Sequence, residues 1–419
     1  MLPGKADESL GQSWLLQVQP KKGIAAKRIH LSIFQNSKLD IQSSMRVNRL
    51  FEKNEKSIYG PNHLNKLIAL FKMFLERKII NFLEYKDNNF HSLSILPNHL
   101  YKELNSRNID LVHLHWVQHE MLSIESIGKI RKPIIWTFHD SWPYQKTSHY
   151  PLFTKKLESN NQKTRLQNIV DNWCLKKKKD SWNNYIYVVC PSRWMANNVK
   201  KSKLMHKRKI KVIPNPLDTN IFKPFEINKA RAILGINKKS KVILFGALDG
   251  ATDPRKGFDL FKKIIKKLSK SNAEIEVLIF GGKLAFSKYI NNIPIRNLGK
   301  INDPKQLAKI YSASDLMVIP SRLESFGQTA SEAHSCGTPV IAFNTSGLKD
   351  IILNEKTGFL IEKYDCEEMS RKIITLIKNT KLVKKFGDNA RKRALEKWSY
   401  NVVSNEYFKL YEEIYYSNY

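Results

Sequence analysis

Between Ser321 and Phe343 the chain reads SRLESFGQTASEAHSCGTPVIAF, with Glu324 and Glu332 separated by seven residues. Two carboxylates at that spacing could serve hydrolysis, a cation or the hydroxyl groups of a ligand. The preceding LMVI has strand composition, Gln328–Ser335 has helical composition, and Gly337-Thr-Pro is a helix stop. Glu324 then falls in the entering loop and Glu332 on the helix, at most about 12 Å apart at about 1.5 Å rise per residue. Paired glycosidase carboxylates sit about 5–9.5 Å apart across a single bond, so two subsites fit this spacing better than one acid–base couple. Phe326-Gly327-Gln328 between them offers bare N–H groups at a helix N-terminus, a natural anion site. Carboxylate, anion site, carboxylate is an order that suits a sugar–diphosphate–ribose ligand. The plainer alternative is a charge complementing the helix dipole plus a solvated glutamate.

Other segments carry chemistry of the same kind. In DPRKGFDLF (Asp253–Phe261), Pro254 suits a first helical turn and Lys256 stands at its positive end. A lysine there can neutralise a departing diphosphate by electrostatics alone. KPIIWTFHDSWPY (Lys132–Tyr144) ends a strand with His139-Asp140, at the tip where a sheet presents its chemistry. DLVHLHWVQHE adds His113, His115 and His119. His113 and His115 on one strand face have a zinc-type spacing, but burial of His113 against a helix and a cleft-facing His115 is the reading adopted, and no metal site is assigned. QVQPKKGIAAKRIHLSIF places Gly23 where backbone could approach a ligand. HLNKLIALFKMFLERKIINFL (His63–Leu83) has an apolar stripe with Lys66, Lys72, Arg77 and Lys78. It could lie on an anionic leaflet, with Lys176–Lys179 adding attraction, or pack on the first domain.

These segments need a scaffold, and the pattern around them supplies one. Short β-rich runs alternate with amphipathic helical stretches, the mark of parallel α/β sheets. Strands are expected at Trp14–Gln19, Leu111–Leu114, Ile134–Phe138, Tyr185–Val189 and Lys211–Ile213 in the first half. The second half should hold Val242–Gly246, Glu276–Phe280, Leu316–Ile319 and Val340–Phe343. The pattern runs twice about the joint IPNPLDTNIFKP. It therefore predicts an α/β protein of two doubly wound, Rossmann-like domains facing each other across a central cleft. Their expected bounds are 1–217 and 218–396, with a terminal helix at 397–419 returning to the first domain.

At 419 residues two cores are expected, and the 42% hydrophobic content is that of a globular protein. Four scattered cysteines with no Cys-x-x-Cys favour reduced thiols in a cytosolic setting. No apolar run approaches the ~20 residues that cross a bilayer, so a soluble or peripheral protein is expected. The formal charge of +33 calls for an anionic partner or reflects a lysine-rich bias. Lysine outnumbers arginine and no basic stretch is interleaved with aromatics, which argues against nucleic acid.

The run Gly299–Ile361, with its Glu-x7-Glu element, the preceding Pro-Ser, and the later Gly-Thr-Pro-Val and Thr-Gly-Phe-Leu, resembles the C-terminal donor domain of retaining GT-B glycosyltransferases of the family 4 group. The resemblance extends over almost the full chain. It implies that Glu324 contacts the donor sugar, that Glu332 holds the ribose hydroxyls and that Lys256 meets the diphosphate. Arg255, Ser325, Phe326, Gly327 and Gln328 would complete the donor site. The family usually carries an arginine directly after the strand glycine; here Ala247 follows Gly246, and Arg255 is the alternative cation. His139 matches a histidine that contacts the donor sugar near the reacting carbon, so His139, Glu324 and Lys256 form the implied catalytic set. Gly23 corresponds to the N-terminal loop of the family.

Asp140 and Trp142 resemble a subgroup acting in bacterial surface polysaccharide assembly, colanic-acid-type enzymes among them, although the cysteine-rich insert of those relatives is missing. The implied activity is a metal-independent, retaining hexosyl transfer from a UDP- or GDP-sugar, with no cofactor. The implied acceptor is a growing O-antigen, capsule or exopolysaccharide glycan, with an undecaprenyl-diphosphate-linked one among the candidates. The enzyme would be cytoplasmic, on or near the inner face of the plasma membrane. A sugar-nucleotide epimerase or phosphorylase of the same fold is the alternative enzyme, and a non-catalytic basic lipid-binding module is the alternative outside enzymes.

Overall fold

The computed structural model describes residues 10–17, 24–36, 41–47, 57–87, 89–106, 108–151, 163–246, 252–271, 274–282 and 288–417. Gly23 and Ala247, both singled out above, lie outside the described residues. The chain divides into two compact units, Met1–Pro216 with Val403–Tyr419, and Leu217–Val402.

The first unit is built on seven strands: β1 (Leu10–Gln17), β2 (Ile41–Val47), β3 (Ile58–Tyr59), β4 (Leu111–Leu114), β5 (Ile134–Thr137), β6 (Ile186–Cys190) and β7 (Ile210–Val212). Their order is β3-β2-β1-β4-β5-β6-β7, and every pairing is parallel. All residues of β4, β5 and β6 are buried, as continuous apolar runs covered on both faces should be. One face is covered by the helix Tyr400–Ser417. Its Val403, Tyr407, Leu410, Tyr411 and Ile414, at helical spacing, pack with Ile29, Leu111, Ile135 and Val189.

The second unit repeats the plan with β8 (Lys241–Gly246), β9 (Ile275–Phe280), β10 (Tyr289–Ile290), β11 (Ile293–Asn297), β12 (Leu316–Ile319), β13 (Val340–Phe343) and β14 (Gly358–Ile361). The order is β10-β11-β9-β8-β12-β13-β14, parallel except for the β10–β11 hairpin. In each sheet the strand order reverses once beside its first strand, between β1 and β4 and between β8 and β12. Ligands of doubly wound sheets bind at such switch points, outside the carboxyl ends of the strands.

β4, β12 and β13 have the expected bounds, and the remaining expected strands shift by a few residues at their ends. β2, β3, β10, β11 and β14 are additional to the expected strands. Three of these, β3, β10 and β14, stand at sheet edges.

The helix His63–Leu83 runs over the expected residues and packs on the first unit through Glu76, Ile80 and Leu83, leaving an apolar face exposed. It buries only Glu76 and Leu83. Glu76 accepts the Leu93 and Ser94 amides at 2.7 and 3.0 Å. Leu67, Phe71, Phe74 and Phe82 are 65%, 61%, 55% and 76% exposed, an apolar face turned to solvent. The lysine run is split differently from its expected role. Lys178 is fully buried, while Lys177 pairs with Glu125, so the run is not a uniform surface charge. The four cysteines are free.

Candidate active site

At the switch point of the second sheet, two loops that follow β8 and β12 meet. The β8 loop closes with a short 3-10 turn, Pro254–Lys256, and the helix Phe258–Leu268 begins only after Gly257. Pro254 and Lys256 therefore precede the helix rather than forming its first turn. Gly257 has φ of 69°, and a Cβ there would stand 2.0 Å from the Pro320 carbonyl oxygen. Only a glycine lets the turn press against the end of β12. This approach brings the Lys256 ammonium 2.7 Å from Glu324 Oε1, although 68 positions separate them in sequence.

Glu324 is held on several sides. Ser321 donates to the same Oε1 at 2.9 Å, and the Glu324 amide donates to the Ser346 hydroxyl at 2.8 Å. Arg322 ties the two loops: its guanidinium donates to both Asp259 oxygens at 2.8 and 2.6 Å and to the Pro254 carbonyl at 2.7 Å. The hydrogen bond to Asp259 raises the Arg322 pKa further. Arg255, the alternative cation, folds back onto Asp253 with bonds of 3.0 and 2.5 Å.

Gly327 caps the helix Gln328–Ser335 in the left-handed region, at φ of 107°. Phe326 is buried beneath this corner, and Ser325 and Gln328 are partly exposed beside it. Glu332 is not a solvated glutamate: it is 4% exposed, and its Oε2 accepts the Tyr311 phenol at 2.8 Å.

The first sheet presents a second constellation at the carboxyl ends of β4 and β5. His139 stands two residues past the end of β5, partly exposed, with Nε2 3.0 Å from His115 Nδ1. Burial pulls the His139 pKa down to about 4, against the pull of Asp140. His113 is buried against the C-terminal helix, with Tyr411 at 2.6 Å and Thr137 at 2.7 Å. His115, expected to face a cleft, is instead 1% exposed beneath His139.

Asp140 and Trp142 are buried and fasten the turn that follows His139. Asp140 accepts Trp116 Nε1 and His149 Nδ1, each at 2.6 Å, and the Trp142 amide at 3.0 Å. Burial alone would raise this carboxyl, but His149 and these donors hold it below the usual range. Lys178 donates to the carbonyls of Trp142, Gln145 and Lys146 at 2.6, 3.0 and 2.9 Å, and its burial lowers its pKa to about 7.

Two sheets of this order match known architectures. Residues 65–221 match the family model described as Glycosyltransferase Family 4, and residues 226–393 match Glycosyl transferases group 1. The sucrose-phosphate synthase of Thermosynechococcus elongatus superposes with a TM-score of 0.68 at 18% identity, over 97% of this chain and 100% of that one. The fold is GT-B.

A second solved GT-B structure, Anabaena HepE in complex with UDP-glucose, gives a TM-score of 0.63 at 15% identity, over 96% of this chain and 100% of that one. In sequence, the D-inositol 3-phosphate glycosyltransferase of Segniliparus rotundus is 30% identical over 180 residues, 41% of this chain. That match spans only 39% of the relative's length.

Within the group 1 domain the structure joins Lys256 to Glu324 and sets Ser325–Gln328 around the adjoining helix start, while Arg255 is turned to Asp253. In the family 4 domain it gives His139 a partner, His115. Arg322, Ser346, Tyr311 and Lys178 were not singled out for these sites. Arg322 sits inside the string that carried the two glutamates and was legible there as a charge beside Glu324. Tyr311 and Lys178 had no local signal, since their partners come from distant segments.

Proposed function

We propose that this chain transfers a sugar from a nucleoside-diphosphate sugar, UDP- or GDP-linked, to a growing surface glycan with retention at the anomeric carbon. The observation that carries this reading is the Lys256–Glu324 pair at the switch point of the group 1 domain, beside the start of the helix Gln328–Ser335. Lys256 and the helix end meet the charge of the leaving diphosphate, so the reading calls for neither metal nor cofactor. Glu324, already an acceptor, shares Lys256 with the phosphates and receives a sugar hydroxyl. Glu332 accepts the ribose hydroxyls alongside Tyr311. His139 meets a sugar hydroxyl from the first unit. UDP-glucose in a structural neighbour and the sugar transfer named for the relatives support the donor class.

The acceptor in this reading is lipid-linked, as in O-antigen, capsule or exopolysaccharide assembly, and the first unit visits an anionic cytoplasmic leaflet to reach it. The exposed apolar face of His63–Leu83 with Lys66, Arg77 and Lys78 exposed on the same helix supports that surface. Among the described residues no helix is long and apolar enough to cross a membrane.

Calorimetry with UDP and GDP, followed by a screen of their sugars for slow donor hydrolysis, tests the proposal. Binding of one nucleotide with release of its sugar is the expected result. No affinity for either nucleotide would overturn the donor reading. Conversion of a nucleotide sugar to its epimer, or phosphorolysis, would favour the alternative enzymes of this fold.

A further inference from the structure

The two imidazoles at the end of the first sheet constrain each other. His115 Nδ1 and His139 Nε2 lie 3.0 Å apart, with ring centroids at 5.3 Å and an interplanar angle of 27°. Such a contact needs one donor and one acceptor, so a single proton lies between the rings when both are neutral. Burial keeps them neutral: it lowers His139 to about 4 and His115 well below the usual imidazole range, with His113, His139 and His30 adding to the effect on His115.

Two arrangements are then open. If His139 donates from Nε2, the proton of His115 is on its own Nε2. That atom is buried with no hydrogen-bond partner among the described residues, so a donor N–H would be stranded there. If His115 donates from Nδ1, its Nε2 is a bare lone pair and no N–H is stranded. Folded proteins leave buried N–H groups unpaired more rarely than acceptors. The ring of His115 is also held in place. It lies 4.2 Å from that of His113, which Tyr411 and Thr137 clamp, and the His115 carbonyl accepts Trp136 Nε1 at 2.8 Å.

We propose that His115 is a positioning residue that fixes His139 as the neutral tautomer protonated on Nδ1, so that His139 offers an N–H donor to a substrate oxygen. His139 Nδ1 has no partner among the described residues, and the side chain is partly exposed. A ligand can therefore reach it. Such a histidine is not a general base, because its one lone pair is taken by His115. It binds an oxygen, such as a sugar hydroxyl. That the oxygen belongs to a transferred sugar rests on the function proposed above; the tautomer does not.

Nitrogen-15 NMR of the histidine-labelled full-length chain at neutral pH reads the tautomer directly, with the His139 signals assigned by their loss in His139→Gln. The expected result is a protonated-type Nδ1 and a bare-type Nε2 on His139. The reverse pattern, or an even mixture, overturns the proposal. His115→Asn keeps a donor and should preserve the tautomer, whereas His115→Leu should release it; an unchanged tautomer in His115→Leu also overturns it. If the chain is a transferase, His115→Leu should lower turnover about tenfold, the loss of one hydrogen bond to substrate, with Asn restoring most of it. A parent without transfer activity would count against the proposed function and leave the NMR outcome to decide the tautomer.

Discussion

The two candidate sites of this chain use different electrostatics. In the second unit the site is built from ions: Lys256 on Glu324, Arg322 on Asp259 and Arg255 on Asp253, all partly open to solvent. In the first unit the site is a largely buried imidazole cluster, with His30, His113 and His115 below the ordinary range, His139 at the surface and one enclosed carboxylate, Asp140, held by Trp116 and His149. A site of ions suits a ligand that brings its own charge, whereas neutral donors and acceptors suit hydroxyl groups. Under the proposed function, one architecture used twice divides charge recognition from hydroxyl recognition between its halves.

Acid should break the comparison most visibly. Of the eleven histidines, only His334 falls within Leu217–Val402. An unfolded histidine takes up its proton near pH 6.5. Folded, His30 and His139 do so only near 4, and His113 and His115 well below the ordinary range, because burial disfavours the charged ring. Between those values the unfolded chain binds more protons, so this stability is complete above about 6.5 and is lost as the pH falls toward 4. Each such ring contributes up to about 1.4 kcal/mol per pH unit. The second unit has one group of this kind, His334, lowered to about 3. Hydrogen exchange compared at pH 7 and pH 5 should show the first unit losing protection well before the second. Equal losses would mean that the cluster is hydrated and not the source of a linkage.

Kinetics should separate the two sites next. Under the proposed function Lys256→Met removes the cation assigned to the leaving diphosphate, and turnover should fall about 10²–10³-fold. His139→Ala should cost about 100-fold in turnover while leaving the nucleotide dissociation constant unchanged. A parallel loss of nucleotide affinity in His139→Ala would make that histidine structural.

Glu332 sharpens the donor side. Glu332→Ala should weaken binding of the free nucleotide by about 1.5–3 kcal/mol, because a charged acceptor is lost. Tyr311→Phe removes only the 2.8 Å phenol bond to the same carboxylate and should change affinity far less. If the two variants are equal, Glu332 serves the fold and not the ribose.

The smallest effect belongs to the surface. Lys72 donates to the Pro97 carbonyl, so the cations left for a membrane on His63–Leu83 are Lys66, Arg77 and Lys78. Each is worth about 1 kcal/mol near an anionic surface, with a reach of about 8 Å at physiological salt. Sedimentation with phosphatidylglycerol vesicles should weaken in the triple glutamine variant without loss of nucleotide binding. Phe71→Ser with Phe74→Ser should weaken it at high salt as well, where the apolar contacts persist. No binding by the parent would leave that face to a different partner.

Much of the scaffold was written locally. The runs LVHL, LMVI and VIAF are short, apolar and punctuated, and Gln328–Ser335 is bracketed by Gly327 and Gly337, so neighbouring residues alone decide these elements. The same holds for the doubled pattern and for Glu324 in a loop with Glu332 on a helix. Polar strands such as IQSSMRV escaped, because β2 alternates buried and partly exposed residues and gains its shape from pairing with β1. Side-chain partners could not be read at all where they cross the fold. Lys256 finds Glu324 because β8 and β12 are neighbours, and His139 finds His115 because β4 and β5 are. Lys178 leaves a basic run for three carbonyls of the turn after His139, and Glu332 is buried on Tyr311. Local pattern depends on contacts a few residues away, which composition records. Charge state, tautomer and pairing depend on which distant segments the sheet order brings together, and only the tertiary structure decides that.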